Sequence, residues 1–120
     1  MHSILIVDDS SVIRRSLRLW IEKSMHCTVC GEAENGEIAI TKAAELRPDM
    51  VIMDFQMPVM NGLEASRNIL RRSPGTAIVI FTLHPSDELM RAAQEAGVRD
   101  VVSKTDRLSS LTIAMQQILA

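Results

Sequence analysis

The sequence predicts a doubly wound α/β domain, (βα)5, with one parallel sheet between helical layers. Three observations predict it. Short apolar runs recur at Ile4–Val7, Thr28–Cys30, Met50–Met53, Ala77–Phe81 and Val98–Val102. The stretches between them carry apolar residues at helical spacing. The first, third and fourth runs are nearly continuous in Ile, Val, Leu and Met, which suits strands buried on both faces. At 120 residues, with no repeat, linker or low-complexity stretch, the chain reads as one domain over 1–120.

The elements follow in order. After the first run, Ile13, Leu17, Trp20 and Ile21 form a helical stripe, and Arg14, Arg15 and Arg18 read as its solvated face. The second run is mixed in character, as an edge strand would be. Ala39, Ala43 and Leu46 mark a helix stopped before Pro48, and the third run then ends at Asp54. Leu63, Ser66, Ile69 and Leu70 mark the next helix, closed by Ser73-Pro74-Gly75. Thr82 follows the fourth run. Leu89, Ala93 and Ala96 then lie between an N-cap at Ser86 and a C-cap at Gly97. The fifth run, again of edge character, leads to Ser103-Lys104, and Leu108, Leu111, Met115 and Ile118 mark a final helix.

Composition removes several functions. Trp20, Phe55 and Phe81 are the only aromatic residues, so no stacking platform for single-stranded nucleic acid or flavin can be built. A net charge of −2 provides no field for a polyanion, so direct nucleic-acid binding is not expected. No apolar run is long enough for a signal sequence or a membrane span, which predicts a cytoplasmic protein without membrane contact. Cys27 and Cys30 have CxxC spacing. On a strand, however, residues three apart face opposite ways, so they read as buried, reduced thiols.

In a doubly wound fold, ligands sit beyond the carboxyl ends of the strands. Those ends carry Asp8, Asp9, Asp54, Thr82, Ser103 and Lys104. One acid after a strand commonly caps the next helix. Three on one rim repel, by roughly 4 kcal/mol for a pair about 4 Å apart at a dielectric near 20, unless one protonates or a cation binds. Oxygen-only ligands favour Mg²⁺ over zinc or copper.

Val7-Asp8-Asp9-Ser10, the stretch Asp54-Phe55-Gln56-Met57-Pro58-Val59-Met60-Asn61-Gly62, Thr82 and Lys104 together resemble the response-regulator receiver domain of two-component signalling. Gly31-Glu32-Ala33-Glu34-Asn35-Gly36 and Leu46-Arg47-Pro48-Asp49 further resemble its NarL/FixJ subfamily, whose receivers usually precede a helix-turn-helix DNA-binding domain. The resemblance implies a flavodoxin-like three-layer sandwich with strand order 2-1-3-4-5. It implies that Asp54 accepts a phosphoryl group from a sensor histidine kinase. Asp9, Asp54 and the backbone carbonyl of Gln56 would bind Mg²⁺ directly, and Asp8 largely through water. Thr82 and Lys104 would bind phosphoryl oxygens. The domain would be a switch, not an enzyme acting on other substrates, and homodimerisation on phosphorylation is a further implication. Three carboxylates, one dication and one ammonium sum to zero charge before reaction. The phosphoryl group then adds negative charge that hydrogen-bond donors must share.

The sequence departs from the family pattern in places. Val101 stands where an aromatic switch residue is usual, and Thr105 replaces the Pro that usually follows the lysine. Leu83 follows Thr82 where a small residue is common, which would narrow access to Asp54. Gln56 and His84 occupy variable flanks that tune phosphoryl lifetime in the family; His84 otherwise reads as a solvated loop residue. Val101 and Leu83 motivate an alternative, an interaction module that works without phosphorylation. Pro58 and Gly62 shape the loop after Asp54: Pro58 fixes its own φ and lacks a donor, and Gly62 permits a positive φ before the third helix.

Overall fold

The apolar runs become strands and the amphipathic stretches helices. The computed structural model describes residues 1–120. Its elements are β1 (His2–Val7), α1 (Ser11–Ser24), β2 (Cys27–Ala33), α2 (Gly36–Leu46), β3 (Met50–Met53), α3 (Gly62–Arg72), β4 (Ala77–Thr82), α4 (Asp87–Ala96), β5 (Asp100–Ser103) and α5 (Leu108–Leu119). All neighbouring strands pair in parallel, in the order β2-β1-β3-β4-β5. β1, β3 and β4 lie inside the sheet, which is why their runs are continuously apolar.

The sheet separates two cores. Ile4, Ile6, Ile52, Val79 and Phe81 face α1 and α5, where they meet Leu17, Ile21, Leu111 and Met115. Leu5, Val7, Val51, Met53, Ile78 and Ile80 face the other way, onto Ala39, Ala65, Ile69, Leu89 and Ala93 of α2, α3 and α4. Small residues on α2 and α3 let these helices lie close to the strands. Trp20 is half-buried, and its indole N–H donates to Thr112 Oγ1 at 2.7 Å, tying α1 to α5.

Four helices begin with a side-chain cap at the carboxyl edge of the sheet. Ser10, Asn35, Asn61 and Ser86 each accept the backbone N–H three residues on, an interaction worth about 1 kcal/mol. Because Ser10 caps α1, Asp9 is left free of that task. α2 ends at Arg47, which takes the left-handed conformation with φ 47° before Pro48.

Two strand boundaries differ from expectation. β2 is longer than Thr28–Cys30, running to Ala33, and it contains a bulge. Ile4 pairs with Val29 and Leu5 with Gly31, so Cys30 is the additional residue. The insertion changes which face the strand presents. Cys27 and Val29 belong to the α1/α5 core, whereas Ala33 belongs to the other. Cys30 packs on the side opposite Cys27, and burial pushes both thiols up. Beside the bulge, Lys42 donates to the backbone carbonyl of Glu32. At the other edge, β5 starts at Asp100 and not at Val98. Val98 instead completes the end of α4: its N–H reaches Ala93 O (2.9 Å), Gly97 N–H reaches Gln94 O (3.1 Å), and Gly97 has φ 94°. This is a Schellman arrangement, with Val98 as its buried apolar partner.

Candidate functional site

Strand pairing continues past the strand ends and fixes the rim. Asp8 N–H donates to Ala33 O (3.1 Å), Asp54 N–H to Val7 O (2.9 Å) and Lys104 N–H to Thr82 O (2.7 Å). Asp8, Asp54 and Thr82 are buried to 2%, 6% and 1% exposure. Asp9, beside Asp8, is exposed.

The three acids converge. One carboxylate oxygen from each of Asp8, Asp9 and Asp54 lies within 4.8 Å of the others. Lys104 Nζ sits between two of them, 2.6 Å from Asp8 Oδ2 and 3.2 Å from Asp54 Oδ1, and its side chain is only 8% exposed. The same ammonium lies 5.9 Å from the Phe81 ring centroid. Asp8 is held on its other side by Ser10 N–H, 2.9 Å from Oδ1. Burial, with the Asp8 charge beside it, pushes the Asp54 carboxyl up to about 6 from 3.8; Lys104 opposes the shift without cancelling it.

The other expected residues fall around this centre. Thr82 ends β4, and its Oγ1 accepts from His84 N–H at 3.3 Å, which leaves its proton available to donate. Gln56 lies in the loop after Asp54 with an exposed side chain, and its carbonyl takes none of that loop's backbone hydrogen bonds. His84 and Leu83 are exposed in the β4–α4 loop. Val101 is half-buried against the core beneath α4.

The loop between Asp54 and α3 uses Gly62 for close approach instead of for its conformational freedom. Gly62 does not take a positive φ. Gly62 N–H donates to Phe55 O at 2.7 Å, and a Cβ at position 62 would lie 1.9 Å from Asp54 O. Glycine is required there because the helix start presses on the backbone of the buried acid. The positive φ belongs to Val59, at 73°, where Met60 N–H donates to Pro58 O (2.8 Å) and closes a three-residue γ-turn.

One expectation is corrected at the arginines of α1. Of the three, only Arg15 is exposed. Arg14 Nε is 3.0 Å from Glu32 Oε1, Arg18 Nε is 2.8 Å from Glu32 Oε2, and Arg14 Nη1 donates to the backbone carbonyl of Asp8 at 2.7 Å. The two arginines hold the Glu32 carboxyl below its usual range, against the opposing effect of burial. Nothing in the helical periodicity signals this. Glu32 on the neighbouring strand was the available clue, and its register depends on the bulge.

The sequence matches the response regulator receiver domain family over residues 4–116. The chain belongs to that family. Receivers are regulatory modules and not enzymes, and membership implies phosphorylation-driven signalling with histidine kinases and other signalling proteins as partners. This receiver is 43% identical to the transcriptional regulatory protein YdfI of Bacillus subtilis, over 87% of the chain and 48% of YdfI. It is 32% identical to the response regulator GacA of Pseudomonas aeruginosa, over 100% of the chain and 56% of GacA. It therefore spans about half the length of these curated relatives. A LuxR-family two-component response regulator from an Aurantimonas species superposes with a TM-score of 0.95 at 33% identity, covering 99% of this chain and 85% of that one.

The acidic cluster of this receiver fits a divalent metal. All its donors are oxygens, Asp54 is pushed up by burial and a neighbouring carboxylate, and a dication would relieve that repulsion. No helix is long and apolar enough to cross a membrane.

Proposed function

We propose that residues 1–120 form one receiver unit in which Asp54 accepts a phosphoryl group from a sensor histidine kinase. The observation that carries this reading is the Lys104 ammonium, 3.2 Å from the buried Asp54 carboxylate and 2.6 Å from Asp8. With a carboxyl near 6, Asp54 is mostly ionised at neutral pH and able to act as a nucleophile. A carboxylate oxygen forms the new O–P bond as the donor's P–N bond breaks, and that electron pair stays on the imidazole. The product oxygens remain within reach of Lys104, and Thr82 donates its hydroxyl to one of them. Asp8, Asp9, Asp54 and the Gln56 carbonyl would hold Mg²⁺, which supplies charge neutralisation when bound. The close approach of Gly62 to the Asp54 carbonyl packs α3 against the backbone of the acid.

The regulator would act in the cytoplasm and change its interaction surface on phosphorylation, with homodimerisation as one readout. The share of YdfI and GacA left uncovered has room for an output domain, and DNA contact would belong there. The test is incubation with Mg²⁺ and acetyl phosphate, read by intact mass. The gain of one phosphoryl group in the wild type and none in Asp54→Asn is expected. No gain in the wild type, or an equal gain in Asp54→Asn, overturns the reading and favours a phosphorylation-independent interaction module.

A further inference from the structure

Metal ligands need partners of their own to hold their orientation, and losing such a partner typically weakens metal binding about 10–100-fold. Asp8 has clear partners in Lys104 and the Ser10 N–H. Asp9 is exposed, and its orientation depends on the peptide that joins it to Asp8. The carbonyl of that peptide accepts from Arg14 Nη1 at 2.7 Å. The guanidinium is itself fixed: Nε binds Glu32 Oε1 at 3.0 Å, and the side chain is only 16% exposed. Glu32 is steadied in turn by Arg18 at 2.8 Å, and its backbone carbonyl accepts from Lys42. The rigid fork of an arginine can make these two contacts at once, whereas a lysine concentrates its donors at one point.

We propose that Arg14 is a positioning residue for the cation site, setting the Asp8–Asp9 peptide plane and so the aim of the Asp9 carboxylate, with Glu32 as its anchor. This rests on the reading of the acidic cluster as a divalent-cation site. Simple electrostatics gives the opposite sign. A positive charge beside three carboxylates opposes a cation, so deleting it should tighten binding if Arg14 acts only by its charge.

The experiment is calorimetric titration of the full chain with Mg²⁺ at neutral pH, comparing wild type, Arg14→Ala, Arg14→Lys and the exposed control Arg15→Ala. Metal-free urea unfolding of each variant monitors the fold. The expected result is about tenfold weaker affinity in Arg14→Ala and a smaller loss in Arg14→Lys, with Arg15→Ala within about twofold of wild type. Equal or tighter binding in Arg14→Ala overturns the proposal. Should Arg14→Ala fail to fold, Arg14→Lys decides: charge is retained, so weaker binding supports positioning and unchanged binding overturns it. A wild type that binds no Mg²⁺ removes the cation-site reading and this inference with it, whereas a binding wild type with indifferent Arg14 variants removes the inference alone.

Discussion

Lys104 lies closer to Asp8 than to Asp54, at 2.6 Å against 3.2 Å. One ammonium thus serves two buried acids, and its tighter contact is with the one that is not the proposed phosphoacceptor. Removing it leaves both carboxylates without that cation. Lys104→Met is expected to cost about 3–5 kcal/mol at pH 7, the range for breaking one side of a buried pair. Part of the loss should return at pH 5, where one carboxyl takes up a proton. Urea unfolding at the two pH values checks this; a loss that grows at pH 5 would contradict it.

Asp54 titrates near 3.8 when unfolded and about 6 when folded, so the folded state binds its proton more tightly. Its contribution to stability is therefore greatest below about pH 4 and is lost as pH rises through about 6. Asp54→Asn abolishes the effect. Without metal, the variant should exceed the wild type in stability by about 2–3 kcal/mol at pH 7. The gap should close towards pH 4, and a gap constant from pH 4 to 7 would sink the assignment.

Gly62→Ala would place a Cβ 1.9 Å from the Asp54 carbonyl oxygen, a backbone atom that cannot swing aside. A loss of at least about 3 kcal/mol is expected. At Gly75 an added Cβ meets nothing within 4 Å, so Gly75→Ala should stay within about 0.5 kcal/mol of wild type. Chemical denaturation of the pair provides the contrast, and equal effects would refute it.

Val59 is β-branched yet holds φ at 73° in the loop after Asp54. Such strain costs on the order of 1–3 kcal/mol, while glycine loses about 0.5–1 kcal/mol more conformational freedom on folding. Val59→Gly should therefore stabilise the domain by about 1 kcal/mol, seen as a higher urea midpoint with unchanged slope. A lower midpoint would show that the γ-turn carries no strain.

Residue type and order alone revealed most of the fold and the chemistry of the rim. Ile4–Val7, Met50–Met53 and Ala77–Phe81 suited interior strands, and each led to a polar residue at the same end of the sheet. What stayed hidden was non-local. That Val98 seals α4 rather than opening β5 depends on hydrogen bonds around Gly97, which the apolar run Val98–Val102 disguises. The role of Gly62 depends on how near α3 approaches Asp54. Arg14 looked solvated because helical spacing describes one helix at a time, whereas its partners lie on β2 and in the β1–α1 loop.

The bulge at Cys30 has a consequence beyond the domain itself. β2 is an outermost strand, and an outermost strand invites a foreign strand to pair with it. An inserted residue breaks the regular repeat that such a visitor must match. Lys42 has already taken up the Glu32 carbonyl, one of the acceptors the visitor would use. On the β2 side, the sheet therefore offers a sixth strand neither an even ladder nor a full set of free acceptors.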